Sequence, residues 1–178
     1  MKIIAETTRL VLREFVMEDA PDVLELHRDP EVIRYTGDRI EDTLEGNQKI
    51  ISDVWLKEYA QYGHARWAVI LKSEQKFVGW CGLKWEKDLK AVDLGYRFLK
   101  DYWGNGIATE SAAASLRYGF ENLGLDPILA LAMKENPAST HVMKKIGMHY
   151  FQNAPFPGVE GDLIWYKITK EQYFKQNK

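Results

Sequence analysis

In the stretch DYWGNGIATES, Asp101 to Ser111, Gly104 and Gly106 stand one residue apart between a strand-like run and a helix-like one. The first amides of a helix have no internal partner and carry the positive end of its dipole, so they attract an anion wherever the backbone can approach closely. Two glycines permit that approach, and phosphate is the anion the arrangement suits. A nucleoside-triphosphate loop would need Gly-Lys-Ser or Gly-Lys-Thr, whereas the chain continues Gly106, Ile107, Ala108, Thr109. A dinucleotide fingerprint would need a third glycine where Thr109 stands and an acid closing the next strand; Asp126 has the right spacing but precedes that strand. A diphosphate of another kind remains. Elsewhere the chemistry is sparse. One cysteine, Cys81, makes neither an internal disulfide nor a multi-cysteine zinc site, and between Trp80 and Gly82 it reads as core. His27 lies on a helix, and His64, His141 and His149 share no metal spacing, so no metal is expected.

The elements that must position the glycine turn come in mixed order. RLVLREF alternates as a strand, and MEDAPDVLELHRD offers Asp19 as a cap, Pro21 in the first turn and Pro30 as a stop. DTLEGNQKIISDVWLKEYAQYG has Asp42 and Glu45 in capping-box spacing, places Leu44, Ile51, Trp55, Tyr59 and Tyr62 on one face, and ends at Gly63. RWAVILK, KFVGWCGLKWE and AVDLGYRFL follow as an antiparallel meander. IATESAAASLRYGFENLG then carries Ala108, Ala112, Leu116, Phe120 and Leu123 at helical spacing, ahead of the apolar run PILALAM. Asn136 and Pro137 suit an N-cap and first helical residue, Gly147 a helix stop, APFPGV a loop, and LIWYKIT a late strand. The class is α+β. With 178 residues and no linker or repeat, residues 1–178 are expected to form a single domain. No window nears the roughly 18 consecutive apolar residues of a membrane span, and the N-terminal run reads as a strand rather than an export signal, so a cytoplasmic location with no membrane partner is expected. A formal net charge of −2 argues against a nucleic-acid partner.

DLGYRFLKDYWGNGIATESA and ENPASTHVMKKIGM are the densest motifs of a pattern running from TTRLVLREFVMEDA to WYKITKEQY. In this pattern the chain resembles the GNAT N-acetyltransferases, specifically the branch that acetylates ribosomal-protein N-termini. The resemblance implies a mixed, mostly antiparallel sheet of about seven strands flanked by helices, with a splayed central strand pair. It implies acetyl-CoA as cosubstrate and direct transfer to an amine without an acetyl-enzyme, and it allows a homodimer through late strands. The family's Arg/Gln-x-x-Gly-x-Gly/Ala pattern falls on Trp103, Gly104, Asn105, Gly106, Ile107 and Ala108, followed by Thr109; Trp103 departs at the first position, and Lys100 stands where relatives often have proline. A diphosphate held by backbone amides is weakened by that departure rather than lost. By the same resemblance Phe98 and Leu99 lie where a strand contacts the coenzyme's arm and steadies the oxyanion. The resemblance also implies that Asn136 holds that arm, that Ser139 hydrogen-bonds or protonates the departing thiolate, and that Lys145, beside Lys144, approaches the 3′-phosphate.

Asp93 matches an acidic family position and is the candidate base, directly or through water; a solvent-facing strand carboxylate fits it equally. Asn136 also suits a plain helix cap. Trp55, Tyr59, Trp80 and Trp85 fit core better than an acceptor groove. At pH 7 deprotonating a lysine costs roughly 4.6 kcal/mol and an α-amine only about 1 to 1.4. With no second strong base, the expected acceptor is an α-amine, as at a peptide or protein N-terminus. Polyamines and amino sugars stay open as acceptors, and a non-catalytic acyl-CoA sensor stays open as an alternative function.

Overall fold

The computed structural model describes residues 1–36 and 41–177. Its strands are β1 (Ile3–Glu6), β2 (Leu10–Arg13), β3 (Arg66–Leu71), β4 (Lys76–Glu86), β5 (Ala91–Phe98), β6 (Ile128–Ala132), β7 (His149–Pro155) and β8 (Asp162–Ile168). They form one sheet in the order β1-β2-β3-β4-β5-β6-β8-β7, antiparallel except for β5 against β6. This is the mixed, mostly antiparallel arrangement expected from the sequence, with eight strands where about seven were expected. The N-terminal run folds as a hairpin, closed by Thr7 N–H to Leu10 O at 3.0 Å. The edge strand β7 is mostly solvent-exposed, so no alternation marks it.

The helices are α1 (Ala20–Arg28), α2 (Pro30–Ile33), α3 (Leu44–Lys49), α4 (Leu56–Tyr62), α5 (Ile107–Glu121), α6 (Pro137–Lys145) and α7 (Lys170–Gln176), with a π-helical segment, Ile50–Trp55, joining α3 to α4. Alternation along the central strands sends Trp67, Cys81, Leu83, Leu94 and Phe98 to one face, where they pack with Ala112, Leu116 and Phe120 of α5, Met143 of α6 and Tyr173 of α7. Ala68, Trp80 and Phe77 pack on the other face with Phe15, with Val23 and Leu26 of α1, and with Ile51 and Trp55. Each fully buried Leu or Phe stabilises such a layer by about 1.5–3 kcal/mol.

Local signals held with some shifts. Gly63 ends α4 in the left-handed region, φ 76°. Asp19 precedes α1 without capping it; its carboxylate instead takes two 2.7 Å bonds from Arg13 and one of 2.9 Å from Val16 N–H. Pro30 starts α2, capped by Asp29, instead of merely ending α1. Thr43, rather than Asp42, caps α3 by accepting from Gly46 N–H at 3.0 Å, and Glu45 pairs with Lys49 at 2.8 Å. Leu44 is exposed, and Leu123 lies past the end of α5.

Candidate active site

β5 lies beside β4 along its whole length but pairs with β6 only at Val92↔Ile128 and Asp93↔Leu129. Beyond that point the strands diverge. Leu99 N–H bonds Val78 O at 3.0 Å, and the β4–β5 register continues from it. Antiparallel alternation therefore turns the backbone groups of Arg97 and Gly95 towards β4 and those of Phe98, Tyr96 and Leu94 towards the gap. The ladder to β6 stops at the Asp93↔Leu129 pair, so Tyr96 and Phe98 turn their N–H groups to an open strand edge. The Phe98 carbonyl accepts the Trp103 indole N–H at 2.8 Å.

The chain leaves β5 through Leu99 and one 3₁₀ turn, Lys100–Tyr102, into the glycine turn. Gly104 and Gly106 have φ of 75° and 77°, left-handed values that cost an ordinary residue roughly 1–2 kcal/mol. Gly106 is the N-cap of α5, and the first helical bond runs from Glu110 N–H to Gly106 O at 3.0 Å. The amides of Gly106, Ile107, Ala108 and Thr109 therefore have no partner within the helix. Nothing lies within 4 Å of the direction a side chain on Gly104 would take. Backbone donors, the positive end of a 15-residue helix and open space meet here.

A cleft of about 270 Å³ occupies the gap and passes from one sheet face to the other, with Asp93, Asn136 and Ser139 all lining it. The Asn136 side-chain oxygen accepts from Ser139 N–H at 3.1 Å, as a helix cap should. Ser139 meets a residue that sequence reasoning missed: the Tyr96 hydroxyl lies 2.8 Å from Ser139 O and 3.0 Å from Ser139 Oγ. Burial pushes the Tyr96 phenol well above its ordinary range, so it stays a neutral donor at every working pH. On the opposite face Asp93 Oδ2 takes Arg66 Nη2 at 2.5 Å, while Arg66 Nη1 donates to Gly82 O at 2.7 Å and Asp93 O at 2.9 Å. The guanidinium also lies 5.3 Å from the Trp80 ring. A Cβ on Gly95 would stand 2.6 Å from the guanidinium carbon, so the glycine makes room for Arg66. Arg66 was equally invisible in sequence, because only the β3–β4–β5 register carries it to Asp93. Lys84 and Glu86 pair at 3.3 Å nearby, and Leu89, Leu131, Met133, Phe156, Val159 and Leu163 form the far wall.

Other residues singled out in the sequence fall elsewhere. Lys145 lines a separate cavity with Glu110, Arg117 and Tyr173. Trp55 stacks on Phe15 with ring centroids 4.2 Å apart, and the Tyr59 hydroxyl bonds Arg66 O, so both are structural. Trp80 belongs to the core and to the cleft wall alike. His64 Nδ1 contacts Leu83 O at 2.6 Å, and burial lowers its basicity. Burial raises the Cys81 thiol to about 11, too high for a nucleophile. Among the described residues no group of three or more His, Cys, Asp or Glu is placed to hold a metal, and no helix is long and apolar enough to cross a membrane.

Comparison with known proteins matches residues 9–149 to the acetyltransferase (GNAT) domain family. The uncharacterized N-acetyltransferase YnaD of Bacillus subtilis is 30% identical over 171 residues, 94% of this chain and 97% of its own. An FsC-acetyl coenzyme A-N(2)-transacetylase of Aspergillus fumigatus is 29% identical over 97% of this chain and 78% of its own. Among solved structures, a GNAT-family acetyltransferase from Bacillus anthracis superposes with a TM-score of 0.80 at 28% identity, covering 96% of this chain and 99% of its own.

Proposed function

The chain belongs to the GNAT acetyltransferases and is an acetyl-CoA-dependent N-acetyltransferase, and on that premise we propose that residues 1–178 act as one catalytic domain whose acceptor is the α-amine of a peptide or protein N-terminus. One observation carries the acceptor class: what the cleft leaves unpaired. Among the described residues lining the cleft, the acids Asp93 and Glu86 are paired with Arg66 and Lys84, so neither stands ready for a polycation. Trp80, which lines the cleft, has a buried indole N–H with no hydrogen-bond partner among the described residues. A buried donor seeks an acceptor. A peptide carbonyl next to the reacting amine offers one, whereas a polyamine has no carbonyl.

The coenzyme supplies a thioester-activated acetyl group. The open edge of β5 suits an extended, amide-bearing arm in the manner of strand addition, and the amides from Gly106 to Thr109 suit its diphosphate. In this reading Asn136 keeps the start of α6 in place beside that arm, Lys145 serves the coenzyme's outer phosphate, and Phe98 N–H is the donor that meets the developing oxyanion. Ser139 Oγ donates a hydrogen bond to the departing sulfur, and any proton it passes on is replaced from water. Asp93 Oδ2 is committed to Arg66, which leaves Oδ1 to take the amine's proton, through water where needed.

Thiol release from acetyl-CoA, measured with peptides bearing free N-termini, α-blocked peptides with internal lysines, polyamines and aminoglycosides, tests this reading. Release only with free N-termini, with the acetyl group located there by mass spectrometry, is expected. Faster acetylation of internal lysines or polyamines refutes the acceptor class, and tight acetyl-CoA binding without release to any amine favours a sensor.

A further inference from the structure

The first turn of α5 contains a carboxylate, Glu110, four residues beyond Gly106, where a diphosphate is to bind. Left alone it would oppose that anion. It is bound instead by the β1–β2 hairpin turn: Thr7 Oγ1 donates to Oε1 at 2.6 Å and Arg9 N–H to Oε1 at 3.1 Å, while Arg9 Nε and Nη2 reach Oε2 at 2.7 and 2.6 Å. Burial alone would raise the Glu110 carboxyl, but these bonds outweigh it and hold the group low, so it stays an anion with its charge matched.

The same guanidinium reaches the glycine turn. Arg9 Nη1 donates to Asn105 O at 2.9 Å, and Nη2 lies 3.5 Å from where a Cβ on Gly106 would stand. The Asn105 carbonyl and the Gly106 N–H belong to one planar trans peptide and point in opposite directions. Fixing the carbonyl therefore fixes the amide. Such fixing matters here, because glycine accepts positive and negative φ almost equally and Gly106 gives this peptide plane freedom to flip. Trp103 supplies no cation to the turn; its indole N–H is committed to Phe98 O.

We propose that Arg9 is a positioning residue that presets the glycine turn for the diphosphate, aiming the Gly106 amide by holding the Asn105 carbonyl and cancelling the charge of Glu110. This rests on the coenzyme reading above and adds a residue far from it in sequence. The test is equilibrium binding to Arg9→Ala and Arg9→Lys chains, each checked for folding by circular dichroism. The probes are CoA and 3′-dephospho-CoA, which both carry the diphosphate, and S-acetylpantetheine, which lacks it. Arg9→Ala is expected to weaken both diphosphate ligands about tenfold or more while S-acetylpantetheine stays within twofold, with Arg9→Lys in between because it restores charge but not the span from Glu110 to Asn105. Equal losses for all three probes, or none, overturn the inference. A wild-type chain that binds none of them overturns the coenzyme reading, and this inference with it.

Discussion

Truncating Asp93 to alanine removes the charged partner of Arg66, whose side chain is only 11% exposed against 18% for Asp93. Breaking a buried pair by deleting one member typically costs about 3–5 kcal/mol, because the survivor stays desolvated. Arg66 is better served than a typical survivor, since the Gly82 and Asp93 carbonyls are backbone atoms that persist and Trp80 still faces its guanidinium. We therefore place the cost of Asp93→Ala at or just below the lower end of that range, at about 2–3 kcal/mol, equivalent to a fall of roughly 5–10 °C in Tm for a chain of this length. Arg66→Ala strands the carboxylate and should cost a similar amount. The double variant has no stranded charge, so urea unfolding of the wild type, both single variants and the double should give a coupling of about 2 kcal/mol. That coupling should persist at 0.5 M salt, because partly buried pairs are screened weakly. Single-variant costs that add to within about 0.5 kcal/mol would show that the two side chains do not act as a unit, and the account of how Asp93 is held would fail.

Tyr96→Phe loses the bonds to Ser139 and should lower stability by about 1 kcal/mol and kcat several-fold, with CoA affinity unchanged; steady-state kinetics beside a binding titration checks this. Cys81, buried and shifted upward, should react with iodoacetamide only as fast as the protein unfolds, and Cys81→Ala should retain thiol release, as expected without an acetyl-enzyme. Burial raises the Glu58 carboxyl against the opposing pull of Lys84 and Arg66. A carboxyl raised on folding contributes stability that is full below its unfolded value, near 4.3, and is lost as pH rises through its folded value. Glu58→Gln should therefore flatten the thermal stability profile, raising Tm relative to wild type on the neutral side of that interval; an unchanged profile would contradict the assignment.

Much of the fold was legible because its signals are local. The strong propensities of RWAVILK and KFVGWCGLKWE marked β3 and β4, and the 3.6-residue spacing of Ala112, Leu116 and Phe120 marked α5. β7 escaped because an exposed edge strand has no buried alternate face, and residues 154–155 of the expected loop belong to it. α7 was not read in the sequence, because the helix that its Thr169–Gln172 capping box opens is short and mostly polar. The widened Ile50–Trp55 turn keeps Ile51 and Trp55 buried, so periodicity still identified the face while missing the π-helical geometry. In the site, the glycine turn and the start of α6 are each contiguous in sequence and could be read there. Arg66, Tyr96 and Arg9 could not, because their roles depend on partners 27, 43 and 101 residues away, brought close by strand register and by packing of the hairpin turn on α5.

In the proposed reaction the departing thiolate meets the Ser139 hydroxyl in the gap between β5 and β6, where Tyr96 and the Asn136 cap hold it. Ser139→Ala, measured for kcat against a saturating N-terminal peptide and for CoA affinity by titration, tests it most directly. The expected result is a fall in kcat of about 10²-fold or more, the ordinary contribution of a positioned acid, with the dissociation constant for CoA within about twofold. An unchanged kcat, or a loss explained wholly by weaker CoA binding, would contradict it.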